Sequence, residues 1–156
     1  MSKGRDIAGL CGWLILSFTA AAIGTQFMPD AWFQALAKPS WNPPNAVFGP
    51  VWTVLYTMMG TAAWLVWRRD GFRGGSPALI LFLSQLVLNA AWSYLFFGAH
   101  QIGYALLDII ALLVLILVLV RLFGTVDRRA GWLMVPYAVW VAFATALNTS
   151  LWQLNR

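Results

Sequence analysis

The residues of this 156-residue chain that could do chemistry are few, and their types are informative. Glu is absent, and the chain holds one His (His100) and one Cys (Cys11). No Ser-His-Asp, Cys-His or paired-carboxylate arrangement is available for acid–base or nucleophilic work, so no conventional catalytic residue is assigned. Asp108 has no second carboxylate or His at ligand spacing, which argues against a metal site. A lone thiol excludes an intrachain disulfide or a cysteine metal site, and Cys11 reads as a small packing residue. His100 reads as a loop residue. What remains is aromatic and amide chemistry: Trp52 and Tyr56 one turn apart, Asn89 and Trp92 at i, i+3, and Trp140, Ala144 and Asn148 at i, i+4, i+8. Such groups hold a flat apolar guest and orient its polar edge.

The elements that position these residues follow from where charge is missing. The chain is 61% hydrophobic and 10% charged, with a mean hydropathy of +0.73. Five runs are almost free of charge: 7–28, 46–67, 77–99, 102–120 and 130–152, with Asp108 the single charged residue inside any of them. Each is about 20 residues, enough to span roughly 30 Å of hydrocarbon at 1.5 Å per residue. A soluble all-α protein would show a polar face every third or fourth residue. The expected fold is one domain, 1–156: an all-α membrane protein built as a bundle of five transmembrane helices. Lys3, Arg5 and Ala20-Ala21-Ala22 also fit a secretory signal with its cleavage site, but the apolar run continues to Met28, so a retained first span is expected.

Cations set the expected orientation. Lys3, Arg5, Arg68, Arg69, Arg73, Arg121, Arg128 and Arg129 share one side, against Lys38 and Arg156 on the other. The positive-inside rule then makes the N-terminus cytoplasmic and the C-terminus external. Topology thus accounts for the net charge of +5, and small basic clusters at helix ends argue against a nucleic-acid partner.

Depth separates the tryptophans. Trp64, Trp67, Trp132 and Trp152 lie at span ends, as an interfacial belt would, and Trp13 reads as a packing residue. Counted from the external ends, Trp52 and Trp92 lie roughly 9 Å deep and Asp108 roughly 10 Å, with Asn89 a turn deeper than Trp92. Trp140, Ala144 and Asn148 fall in the same leaflet. Above them lies the one long loop, 29–45, holding Trp32, Phe33, Leu36 and Trp41, with Asp30 as the N-cap of a short helix at 31–37. Pro43-Pro44 cannot sit inside a helix but can open one, so Trp41-Asn42-Pro43-Pro44 is expected to form a stiff lip at the start of the second span. Intramembrane polar groups face a bundle interior or a cavity. The expectation is a cavity in the external leaflet lidded by 29–45. Asn89 and Gln85 also suit interhelical hydrogen bonding, and Pro136 with Tyr137 suits a kinked helix with a packed ring.

Five spans carry Trp41-Asn42-Pro43-Pro44, Pro50-Val51-Trp52-Thr53, Asn89-Ala90-Ala91-Trp92-Ser93, Val135-Pro136-Tyr137 and Ala144-Thr145-Ala146-Leu147-Asn148 in order. This resembles the tryptophan-rich sensory protein/translocator protein (TspO/MBR) family across almost the whole chain. The resemblance implies a multi-pass protein, here of a bacterial cell membrane, commonly a homodimer, that binds porphyrins such as protoporphyrin IX without a required cofactor. It implies that Trp52 and Trp140 face the porphyrin, that Asn89, Trp92, Ala144, Leu147 and Asn148 line the pocket or its helix contacts, and that Trp41, Asn42 and Pro43 shape the lid. Trp32, Tyr56 and Asp108 complete the candidate binding set. The sterol motif proposed for animal members needs a Tyr where Thr149 stands, which argues against specific cholesterol recognition.

Three functions compete. The leading one is tetrapyrrole binding in transport, sensing or stress regulation. A second, implied for some bacterial relatives, is light- and oxygen-dependent porphyrin breakdown, with Trp52 and Trp140 as the redox partners. A third, alternating-access transport, is disfavoured by an odd number of spans without visible repeats.

Overall fold

Apolar runs long enough to cross a bilayer satisfy their own backbone hydrogen bonds as helices. The computed structural model describes the backbone of residues 2–74 and 76–156 and the side chains of 2–72 and 77–156. Gly75, and the side chain of Arg73 that the charge count uses, lie outside the described residues. The elements are α1 (Lys3–Gly24), α2 (Ala31–Ala35), α3 (Asn45–Gly74), α4 (Ser76–Ser93) running into a π-helical turn (Tyr94–Gly98), α5 (Ile102–Val126) and α6 (Arg128–Leu154), with no strand among the described residues. All but α2 are long and apolar enough to span a membrane. The chain is therefore an all-α, multi-pass membrane protein with a short helix in its first loop.

The bounds differ from the apolar runs for physical reasons. At the end rich in cations, α3 and α5 continue past Trp67 and Val120, and α6 begins two residues before Ala130. Hydrocarbon thickness limits the apolar stretch, whereas helical hydrogen bonding continues among Arg side chains at the interface. Inside α3 the regular geometry breaks at Gly71, whose φ of 62° is the left-handed region that glycine adopts without steric cost. At the other end α1 stops at Gly24 rather than Met28, and the Thr25 hydroxyl donates back to the Ala22 carbonyl at 2.9 Å. Pro43 and Pro44 lie outside α3, which opens at Asn45 with the Val47 amide on the Pro44 carbonyl at 3.0 Å. Pro50 and Pro136 are carried within α3 and α6, each at the loss of one backbone bond.

Glycines let the helices approach. A Cβ on Gly131 of α6 would lie 2.8 Å from Gly124 Cα of α5, and one on Gly60 of α3 would lie 3.0 Å from Leu14 of α1. Gly9 of α1 receives the Trp67 ring, so Trp67, expected in the interfacial belt, is instead buried between α1 and α3. Phe82, Met59, Ile116, Leu119, Phe123 and Met134 fill the centre of the bundle. A smaller apolar cluster of Phe33, Phe96, Ala105, Leu147 and Leu151 lies where α2 meets α4, α5 and α6.

Candidate functional site

The first loop is tied down from both ends. Asp30 caps α2, accepting the Phe33 amide at 3.1 Å, and its other oxygen meets His100 Nε2 at 3.1 Å. Trp32 stacks on the His100 ring at 4.1 Å between centroids. Lys38 donates to the Phe33, Gln34 and Leu36 carbonyls at 2.6, 3.1 and 3.2 Å. This cap, with Leu36 extended, ends α2 at Ala35 rather than at the expected Ala37. The Asn155 side chain grips Ala37 at both backbone groups, accepting from its N–H and donating to its C=O, each at 2.9 Å. The Phe33 ring meets Phe96 and Phe97 edge-on.

Beneath this loop is a cavity of about 840 Å³ reached by all five spans, within the range of small-molecule pockets. Its aromatic lining includes Trp52 and Tyr56 of α3, Trp92 of α4, Trp140 of α6 and six Phe side chains, and Gly49 and Ala144 leave room beside those rings. Trp52 and Trp140 meet edge to face, with centroids 6.5 Å apart and planes at 86°. A flat guest lying against one ring therefore meets the other at its edge.

Its polar groups form two linked sets. Tyr56 donates to Asn89 Oδ1, Asn89 Nδ2 donates to the Tyr137 hydroxyl at 2.8 Å, and that hydroxyl donates to Gln85 Oε1 at 2.8 Å. Gln85 Nε2 ends the chain against Met59 Sδ at 3.8 Å. Gln85 thus bonds between helices, away from the cavity lining, while Asn89 both bonds and lines. In the second set, Trp92 Nε1 donates to Asn148 Oδ1 at 3.0 Å and Asn148 Nδ2 donates to the Ile102 carbonyl at 3.1 Å. These bonds lock α3 to α4 and α6, and α4 to α6 and α5. The indole nitrogen of Trp140 is buried without a partner.

Of the expected binding residues, Trp52, Tyr56, Asn89, Trp92, Trp140, Ala144, Leu147 and Asn148 come together around this cavity. Five others do not line it. Trp32 is drawn aside by His100 and borders a separate polar hollow with Trp152 and Arg156. Trp41 is exposed and packs on Phe143, and Asn42 donates to the Pro43 carbonyl at 3.2 Å, keeping both in the lip. Asp108 sits on α5 one residue from the lining Ile109, with one carboxylate oxygen buried and unpartnered. Sequence reasoning missed the wall made by α1, where Phe18, Ala22 and Thr25 line the cavity at i, i+4, i+7. The small Ala22 and hydroxylated Thr25 on one stripe with Phe18 were the available signal. Among the described residues no three His, Cys, Asp or Glu side chains gather as a metal site would require.

Comparison with known proteins agrees with the residue pattern. Residues 8–153 match the model of the TspO/MBR family. The chain is 40% identical to the tryptophan-rich protein TspO of Chlorobaculum tepidum, over 99% of both chains. It is 37% identical to the human translocator protein over 92% of this chain and 88% of that one. It is 36% identical to the tryptophan-rich sensory protein of Cereibacter sphaeroides over 91% of each.

Proposed function

The chain belongs to the TspO/MBR family, and from that premise and the geometry of its cavity we propose that it binds a flat, largely apolar tetrapyrrole such as protoporphyrin IX within the membrane, in transport or sensing. The observation that carries this is the cavity itself: about 840 Å³, walled by Trp52, Trp92 and Trp140 and opened by small residues beside them. Rings bury a large apolar area against a flat guest, and a few fixed polar groups orient it. Asn89 of α4 and Asn148 of α6, each held in its own hydrogen-bonded set, supply those polar groups. The described residues lining the cavity are aromatic, aliphatic, hydroxyl and amide groups, with no Asp, Glu, His, Cys, Lys or Arg among them, and binding is the reading those side chains support.

Titration of tryptophan fluorescence with protoporphyrin IX tests it. Trp52→Ala or Trp140→Ala is expected to weaken binding by roughly tenfold, equivalent to about 1.4 kcal/mol. Unchanged affinity in both variants sinks the assignment of this cavity.

We also propose that the protein sits in a bacterial cell membrane with its cation-rich end, which carries Arg5, Arg68, Arg69, Arg121, Arg128 and Arg129, in the cytoplasm. A thiol placed by Ser2→Cys in a Cys11→Ser background should react with an impermeant reagent in inverted vesicles and be protected in right-side-out ones. The reverse pattern would invert the topology.

A further inference from the structure

The seams between helices around the cavity differ in how tightly they close. Between α1 and α4, Phe27 packs on Tyr94 at 5.3 Å between centroids, and a Cβ on Gly98 would lie 2.8 Å from the Phe27 ring. Gly24 is also close, its notional Cβ 3.1 Å from Ser93 Oγ. Between α3 and α6, Phe48 and Trp52 both pack edge-on against Trp140. Between α4 and α6, the bond from Trp92 to Asn148 bridges the gap. The loop end is covered by α2 through Phe33 and by the Asn155 grip on Ala37.

The seam between α1 and α3 differs along its length. In the cation-rich half it is tight, with Gly9 against Trp67 and Gly60 against Leu14 and Ser17. The last ring contact is Phe18 with Tyr56, 5.9 Å between centroids. Beyond it the two sides of the seam are Thr25 and Met28, just past the end of α1, and Ala46 and Gly49 of α3. These residues line the cavity and are also exposed. A Cβ added to Gly49 meets nothing within 4 Å. Apolar side chains beside them on both helices are exposed: Ile23 of α1 and Val54 of α3 are 50% and 57% exposed.

From this we infer that the cavity has a lateral portal between the loop-side halves of α1 and α3, through which an apolar guest passes directly to and from the acyl-chain region. The proposal rests on the tetrapyrrole-binding reading above and adds the route. An exposed apolar rim faces lipid without cost, whereas the path through the loop would require undoing the Asn155 and Asp30 contacts. A guest that partitions into the bilayer is already concentrated where this seam opens. Gly49 keeps the gap wide, and Thr25 presents a short side chain whose hydroxyl is turned back to the Ala22 carbonyl.

A portal governs rates without setting affinity, because narrowing it slows entry and exit by the same factor. The experiment is stopped-flow fluorescence of the full chain in phosphatidylcholine vesicles, with protoporphyrin IX delivered from donor vesicles. Gly49→Phe and Thr25→Phe are each expected to slow association by roughly tenfold, within the range that variants of one site span; both residues also line the cavity, so dissociation is compared after each variant's own affinity is measured. As a reversible check, Thr25→Cys with Gly49→Cys in a Cys11→Ser background is bridged by a reducible bis-thiol linker; both rates should fall on bridging and recover on reduction. Asn155→Ala, which frees the loop, should leave both rates unchanged. Native rates in the bridged protein, or faster rates in Asn155→Ala, overturn the portal and leave the pocket standing. Absence of equilibrium binding by the unsubstituted protein overturns both.

Discussion

Asp30 does three things with one carboxylate: it caps α2, pairs with His100, and so fixes the ring on which Trp32 stacks. Its pKa lies below the ordinary 3.8, first because of the hydrogen bond from the Phe33 amide and then because of the charge and hydrogen bond of His100. Both favour the ionised form. A group with a depressed folded pKa adds stability that is present above its unfolded value and lost as pH falls through its folded value. The loop latch should therefore hold from above pH 3.8 upward and loosen progressively below it. Hydrogen exchange of residues 31–36, corrected for intrinsic rates, should rise on acidification and should already be raised in Asp30→Ala. An acid response that persists unchanged in Asp30→Ala would assign it to another group.

Residues on long helices were legible from sequence because depth and the 3.6-residue period fix their level and face. Trp52, Asn89, Trp92, Trp140 and Asn148 could be set in one leaflet on that basis. Trp32 and Trp41 could not be placed in the same way, because side-chain direction in a loop is set by tertiary partners, here His100 and Phe143. Asp108 was assigned by depth and yet misses the lining that its neighbour Ile109 reaches, since depth does not fix rotation about the helix axis.

At the scale of elements, charge-free length identified five spans, but it could not say where a helix continues past the hydrocarbon, nor that α4 ends in a π-helical turn at Tyr94–Gly98. The α5–α6 pair shows what the pattern conceals. Gly124 and Gly131 form no Gly-x-x-x-Gly motif on one helix, yet they meet across the pair, and a Cβ on Gly131 would find Gly124 N and the Val120 carbonyl oxygen at 3.0 Å. Backbone atoms have no rotamer in which to move aside. Gly131→Ala should therefore cost about 1–3 kcal/mol, as overpacking generally does. Gly12→Ala on α1 meets nothing within 4 Å and should instead stabilise by up to about 1 kcal/mol through helix propensity. Thermal unfolding in detergent separates the two; equal midpoints would mean that α5 and α6 can part without cost.

The whole molecule divides into a tied end and an open end. At the cation-rich end Arg68 pairs with Asp6 at 3.2 Å, Arg69 pairs with Asp127 at 2.9 Å, and Asp127 also caps α6 through the Arg129 amide at 2.8 Å. These contacts join α1, α3 and the α5–α6 turn where the glycine approaches are also tightest. The opposite end holds the cavity, its latched loop and the exposed stretch of the α1–α3 seam. Stability and binding should then be separable by site, since distant positions without shared partners act nearly independently. Asp127 is the sharpest probe: its side chain is 8% exposed, and its loss removes a cap and leaves Arg69 without its carboxylate. Asp127→Ala should cost about 1–2 kcal/mol from the cap alone, lowering the thermal midpoint. Its affinity for protoporphyrin IX should stay within roughly twofold of the unsubstituted protein. A parallel loss of affinity would show that the two ends move as one body and that the cavity depends on the tied end for its shape.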